Sequence, residues 1–242
     1  MRESRAWAAW VAVVAFAGAS CVLAGHPQFA VYSAYLCGAY ALTGLIAERA
    51  DPVHWLRVAG AAAIALLLSA VTLVPLVELS GYTVRQTLGF AEFVEYANTP
   101  WQMLSIMFPS VAHDGLEAPT YMGLATVYCA LVGVVHSRVN WRVGFWAVTA
   151  AICLMVGVGN STPLAAVMYE LPLYDRFRIV SRHLVFAAFA VNVLAAYGVA
   201  AILDRRVTQR MLMVAGSTFI VCVTGAALLV ARQPQEIGRA HV

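Results

Sequence analysis

Three arginines crowd into one stretch of the chain, where Asp175-Arg176-Phe177-Arg178 is followed by Ser181-Arg182-His183. A guanidinium carries a rigid fork of donors that can hold a phosphate through two parallel hydrogen bonds. Arg178 and Arg182 are four positions apart, so on one continuous helix they would share a face. Ser181 reads as the N-cap of the apolar helix that begins here. The helix N-terminus would add partial positive charge, which favours an anion. The chemistry of this set is recognition of a phosphate or pyrophosphate. Arginines at a helix end also anchor a chain among lipid headgroups, and that second reading stays open. Asp175 is a candidate partner for Arg176 or Arg178. Upstream, Asn160-Ser161-Thr162 matches a glycosylation sequon, a pattern that also arises by chance.

Two other connections hold polar groups. Glu78 and Arg85 are close enough in sequence to pair. Between Arg85 and Tyr96, Leu88, Ala91, Phe93 and Val94 alternate with Glu92 and Glu95, the pattern of an interfacial helix with its apolar side in the headgroup boundary. Pro100 through Pro109 is apolar but too short to span, which predicts a re-entrant or surface helix. His113, Asp114 and Glu117 follow in a polar loop. A carboxylate there could act as a general base, although a solvated loop charge is the simpler reading. Gly25-His26-Pro27-Gln28 makes a tight turn between two helices. Read functionally, His26 and Gln28 offer hydrogen bonds to a sugar or phosphate.

The elements that must position these groups are set by composition. The 242 residues are 62% apolar and 11% charged, against roughly 45–50% and about 25% in soluble domains. That excludes a soluble globular protein, a disordered chain and a nucleic-acid binder. All fifteen cations are arginine, which reflects genome composition, and the net charge is only +3. Cys21, Cys37, Cys129, Cys153 and Cys222 lie inside apolar runs with no CxxC spacing, so neither a disulfide framework nor a metal site is indicated.

A helix that crosses the ~30 Å hydrocarbon core needs about 20 apolar residues. Seven runs qualify, near 7–24, 29–47, 58–77, 121–136, 143–158, 183–203 and 211–230. The fourth and fifth are short and are expected to extend into their flanks. The expected fold is an all-α polytopic integral membrane helix bundle of about seven transmembrane helices, with 1–235 as one membrane domain. One set of connections holds nine arginines (Arg2, Arg5, Arg49, Arg57, Arg138, Arg142, Arg205, Arg206, Arg210) and the other holds five (Arg85, Arg176, Arg178, Arg182, Arg232). The bias places the first set, and the N-terminus, in the cytoplasm. The connections 78–120 and 159–182 then face outside. Gly18-Ala19-Ser20-Cys21 loosely matches a signal-peptide cleavage or lipidation site, but the apolar run continues past it, which favours a retained helix.

The tail Glu236-Ile237-Gly238-Arg239-Ala240-His241-Val242 does not read as protein sequence. It matches a common sequencing adapter translated in frame, with a short polar tail as the alternative, and it is excluded from the fold. On the adapter reading the natural chain continues past about Gln235, and Met1 is then also open to being an internal start. The chain is accordingly expected to be a fragment.

Taken in order, these motifs resemble the YfhO family of bacterial membrane proteins, polytopic relatives of the GT-C glycosyltransferases. Gly25-His26-Pro27-Gln28 is similar to the family's GHPQ-like segment. Pro100 through Pro109, followed by Tyr121-Met122-Gly123, is similar to its P-x-x-L…P…Y-x-G block. The strongest match runs from Gly159-Asn160-Ser161-Thr162-Pro163 through Leu171-Pro172 and Phe177-Arg178-Ile179-Val180-Ser181-Arg182 to Leu194-Ala195-Ala196-Tyr197-Gly198. Together these cover most of residues 20–205. The resemblance implies a multi-pass protein of the bacterial cytoplasmic membrane. It implies transfer of a sugar from a polyprenyl-phosphate carrier to an acceptor on the extracytoplasmic face. By matched position Arg178 and Arg182, with Arg176 beside them, would hold the carrier phosphate. His26, Gln28, Arg85 and Tyr121 would line the same cavity. Such enzymes place a catalytic acid in the first outer loop, but here that loop is Gly25–Gln28 and has none, a departure that fits a truncated N-terminus. The catalytic residue is therefore unknown. The expected partners are the lipid-linked sugar and membrane lipids, with no nucleic acid. No cofactor is evident; no convincing metal-ligand set forms, and a divalent ion stays open. The alternatives are a transporter or flippase for lipid-linked sugars, and a non-catalytic membrane assembly subunit. A coupled transporter would carry ionisable residues at mid-membrane depth, which the apolar runs lack.

Overall fold

The apolar runs become helices because a backbone in hydrocarbon must bond to itself. A computed structural model describes residues 2–82, 88–100, 102–108, 121–136 and 140–232. The expectations placed on Arg85, on His113, Asp114 and Glu117, and on the tail 236–242 lie outside those residues. Among the described residues no strand occurs. The helices are α1 (Arg2–Leu23), α2 (Pro27–Ala47), α3 (Pro52–Ser80), α4 (Phe90–Phe93), α5 (Leu124–His136), α6 (Trp141–Gly157), α7 (Leu164–Tyr169), α8 (His183–Leu203) and α9 (Gln209–Arg232).

Each of the seven apolar runs is helical. Three helical stretches are long and apolar enough to cross a membrane: Pro27–Ala47, Pro52–Ser80 and Val180–Leu203. Trp7–Leu23, Leu124–His136, Trp141–Gly157 and Gln209–Gly225 are shorter apolar helical stretches. The helix starts have local causes. Pro27 and Pro52 open α2 and α3, where a fixed φ suits the first turn and the missing N–H is no loss. Asn140 caps α6, its Oδ1 accepting from the Arg142 N–H at 3.0 Å.

The expected lengthening of the fourth run does not occur at its start. Gly123 adopts φ +83°, which a right-handed helix cannot contain, so α5 begins only at Leu124 and has 13 residues. At 1.5 Å per residue that is about 20 Å, short of the ~30 Å hydrocarbon core.

The two expected surface helices are also revised. Of the stretch ending at Tyr96, the described part forms only the single turn α4. Phe93 is fully buried and packs on the Tyr169 ring at 5.5 Å, so this apolar side faces protein rather than headgroups. Within 100–109 the helix is a short 3-10 turn, Gln102–Ile106. Thr99 and Gln102 cap it reciprocally: the Thr99 N–H donates to Gln102 Oε1 at 2.8 Å, and the Gln102 N–H donates to Thr99 Oγ1 at 3.3 Å. Ile106 joins the core, and its carbonyl accepts from the Met122 N–H at 2.9 Å.

Packing groups the chain into two compact units, residues 1–88 with 175–177, and residues 89–174 with 178–242. In the first unit α1 packs chiefly on α3. The contact is made of small residues, with Ala15 and Ala19 on α1 and Ala61 and Ser69 on α3 all buried. A Cβ on Gly18 would stand 3.1 Å from Ala65 Cβ. Ser69 Oγ donates to the Ala65 carbonyl at 2.8 Å, so the hydroxyl is satisfied within its own helix.

In the second unit α8 is the central element, packed on α5 and α6. Its buried residues Ala187, Ala190, Leu194, Gly198 and Ala201 recur at helical spacing. Gly133 of α5 and Gly198 of α8 meet backbone to backbone. A Cβ on Gly198 would overlap the Cys129 carbonyl, and one on Gly133 would overlap the Leu194 carbonyl. Association inside a bilayer relies on this close approach, because lipid tails are as apolar as the side chains.

Gly198→Ala should therefore lower the melting temperature of the detergent-purified protein, by the equivalent of about 1–3 kcal/mol of overpacking. Gly144→Ala, where a Cβ meets nothing within 4 Å, should leave it within about 0.5 kcal/mol or raise it slightly. Equal melting of the two variants would rule out the glycine crossing.

Candidate functional site

The arginine-bearing stretch is built from short turns that follow α6. Helix α6 ends at Gly157, and Gly159 takes φ +54°. A Cβ at Gly159 would overlap that of Ala97, so this position combines a left-handed backbone with a close neighbour. Thr162 Oγ1 donates to the Met155 carbonyl at 2.6 Å. The Asn98 N–H donates to the Gly157 carbonyl at 2.9 Å. These two bonds satisfy carbonyls that the last turn of α6 leaves open. Above them α7 presents Tyr169 to Phe90 and Phe93, with ring centroids 5.6 and 5.5 Å away.

Beyond α7 the chain forms the 3-10 turn Tyr174–Arg176, an irregular link, and the 3-10 turn Val180–Arg182, from which α8 continues. Two non-glycine residues here, Leu173 (φ 69°) and Ile179 (φ 68°), are left-handed. For a β-branched residue such as Ile179 this geometry costs of order 1–3 kcal/mol and persists only where the surroundings impose it. The surroundings are tightly packed. Tyr174, Val180, Ser181 and His183 are all buried. The His183 ring is stacked on Tyr174 at 5.7 Å, and its Nδ1–H donates to the Val180 carbonyl at 2.9 Å.

This geometry corrects two expectations. Arg178 and Arg182 do not lie on one continuous helix, because the left-handed Ile179 separates them, so the shared helical face does not form. Ser181 is not the cap of α8: it is buried within the 3-10 turn, and Arg182 precedes the first residue of α8 with no side-chain cap bond.

The two arginines do fall in the same unit, whereas Arg176 falls in the other. Arg178 is paired with Glu92, its Nη2 lying 3.9 Å from Oε1, with both side chains about half exposed. The other oxygen of Glu92 accepts from the Gly89 N–H at 3.0 Å, a bond back to the start of α4 that orients the carboxylate. Arg182 is half-buried at the head of α8. Tyr121, in the same unit, is 54% exposed.

In the first unit Gln28 does not line an open cavity. It is 3% exposed, and its Nε2 donates to the Tyr32 hydroxyl at 3.0 Å. Tyr32 in turn meets the edge of Phe177 at 6.0 Å. His26 packs on Phe29 at 4.8 Å, just ahead of α2. The turn Gly25–Gln28 is thus a tight interhelical connection, with Gly25 at φ +80°.

Glu92 as the partner of Arg178 was not foreseen. A glutamate in the first turn after Gly89 was the available signal, masked by the apolar residues around it. Among the described residues no group of three His, Cys, Asp or Glu side chains could hold a metal ion. No family model, curated protein or solved structure matches the chain.

Gly159→Ala should destabilise by about 1–3 kcal/mol, from strain and from the contact with Ala97. Glu92→Gln, at an exposed pair, should cost no more than about 1 kcal/mol. Thermal melts of the two variants in detergent check both values; similar losses would place the rigidity of this region elsewhere.

Proposed function

We propose that the chain belongs to a membrane glycosyltransferase of the GT-C type. In this reading it moves a sugar from a polyprenyl-phosphate carrier to an acceptor at the extracytoplasmic face of a bacterial cytoplasmic membrane, with the N-terminus in the cytoplasm. The motif order similar to the YfhO family supports this. The observation that carries it is the pair Arg178 and Arg182, set on either side of a constrained turn at the head of the apolar helix α8.

The chemistry follows from that placement. As the sugar leaves, negative charge builds on the carrier phosphate. Guanidinium forks and the positive end of α8 stabilise it, and a preorganised donor is worth most where charge develops. Glu92 holds the Arg178 guanidinium at 3.9 Å, a loose pair that the carrier's phosphodiester anion displaces with little loss. The isoprenoid tail lies along apolar helix surface. The base that activates the acceptor is not assigned to a residue of this chain.

In membranes containing the full-length natural protein of which this chain is read as a fragment, sugar transfer from a polyprenyl-phosphate donor should be measurable. Arg178→Ala and Arg182→Ala should each lower it by about 100-fold or more, with unchanged membrane insertion. Full turnover in both variants would remove them from the site. A single cysteine placed at 178 should react with a membrane-impermeant maleimide added outside intact cells. Labelling only after lysis would put the pair on the cytoplasmic side and end the proposal.

A further inference from the structure

The opposite end of α8 from Arg182 meets α5 and α9 at a different kind of feature. Helix α9 is held to α5 by one long-range hydrogen bond, from the Tyr128 hydroxyl to the Leu212 carbonyl at 3.0 Å. Val132, Ala201 and Val207 form a small buried cluster beneath it. Beside that tie the two helices leave an apolar groove of about 140 Å³, walled by Tyr128, Leu131, Val135, Met211, Ala215 and Phe219. The Phe219 ring closes one end against Tyr128 at 5.6 Å.

The other end of the groove carries an imidazole. His136, the last residue of α5, lines it. Arg210, in the first turn of α9, is exposed and borders an adjoining depression that shares Met211 and Ala215 with the groove. An apolar slot beside an exposed arginine is complementary to an amphiphile with an anionic head. A neutral apolar helix from a second copy would leave Arg210 with nothing to meet, so charge favours a lipid.

We propose that the α5–α9 groove is a binding site for an anionic phospholipid, with one acyl chain against Met211, Ala215 and Phe219 and the phosphate at Arg210. This site lies at the far end of α8 from Arg178 and Arg182 and does not depend on the glycosyltransferase reading.

The test uses the full chain, purified in detergent and stripped of lipid. It is titrated with phosphatidylglycerol or phosphatidylcholine, bound lipid is counted by native mass spectrometry, and oligomeric state is read by light scattering. Phosphatidylglycerol should be retained about fivefold more tightly than phosphatidylcholine, the ratio expected of one arginine near the headgroup. Arg210→Gln should remove that preference, and Ala215→Phe, which fills the groove, should abolish retention of both lipids. Equal binding of the two lipids by the wild-type protein would overturn the proposal. So would wild-type affinity in Ala215→Phe, or a wild-type dimer that this variant splits, since a second copy would then be the occupant. If Ala215→Phe does not fold, Leu131→Trp fills the groove from the opposite wall. Arg210→Gln, at an exposed side chain, decides the headgroup question by itself.

Discussion

Hydrocarbon offers a backbone no partner, and that constraint orders this whole structure. A chain that is 62% apolar can meet it only by closing its hydrogen bonds within each segment. The long apolar runs are therefore helices throughout. Wherever the helical pattern stops, freed carbonyls and N–H groups need side chains to satisfy them. The breaks are thus where polar chemistry concentrates: Thr162 on Met155, Asn98 on Gly157, and Glu92 on Gly89 are all repairs at helix ends. The candidate arginines Arg178 and Arg182 stand at such a break, because a polar group is tolerated there.

The same constraint shapes the packing. Large apolar side chains gain nothing by leaving lipid for one another, so close approach must come from small residues. Each unit meets this need by itself. The first sets Ala15, Gly18 and Ala19 against Ala61 and Ala65. The second goes further, bringing Gly133 and Gly198 into backbone contact. Large residues such as Phe16, Leu67, Val71 and Leu203 are left facing outward, which inverts the arrangement of a soluble core. Helix α8 gains its central place from this stripe of alanine and glycine, not from any excess of bulk.

How much of this was legible in the sequence depends on the reach of each signal. Apolar runs are a local signal, and the run at 183–203 gives α8 its bounds directly. The capping prolines Pro27 and Pro52 are equally local. The limits appear where backbone angle decides. Nothing in Tyr121-Met122-Gly123 announces that Gly123 turns left-handed and cuts α5 short. The stretch up to Tyr96 has the composition of an interfacial helix, yet Phe93 is drawn under Tyr169, a residue 76 positions away. Gln28 read as a cavity group, and Tyr32, one turn on, takes its amide inward instead. A partner distant in sequence, a single φ value or a neighbour one turn away outweighed the expected pattern.

The arginine pair shows the same limit where it matters most for function. Four-residue spacing on a helix would aim two guanidiniums along one face and fix their separation by helical geometry. The left-handed Ile179 replaces that geometry with a turn held by Tyr174, Val180 and His183. The positions of Arg178 and Arg182 are then set by packed neighbours instead of by helical repeat. Strain of this kind persists only where its surroundings over-determine it, and it gathers at sites that bind or react. A helix end serving merely as a headgroup anchor has no use for it, since a relaxed helix start with the same arginines would anchor equally well. The buried, strained turn beneath the two cations is therefore the feature on which the proposed anion site rests.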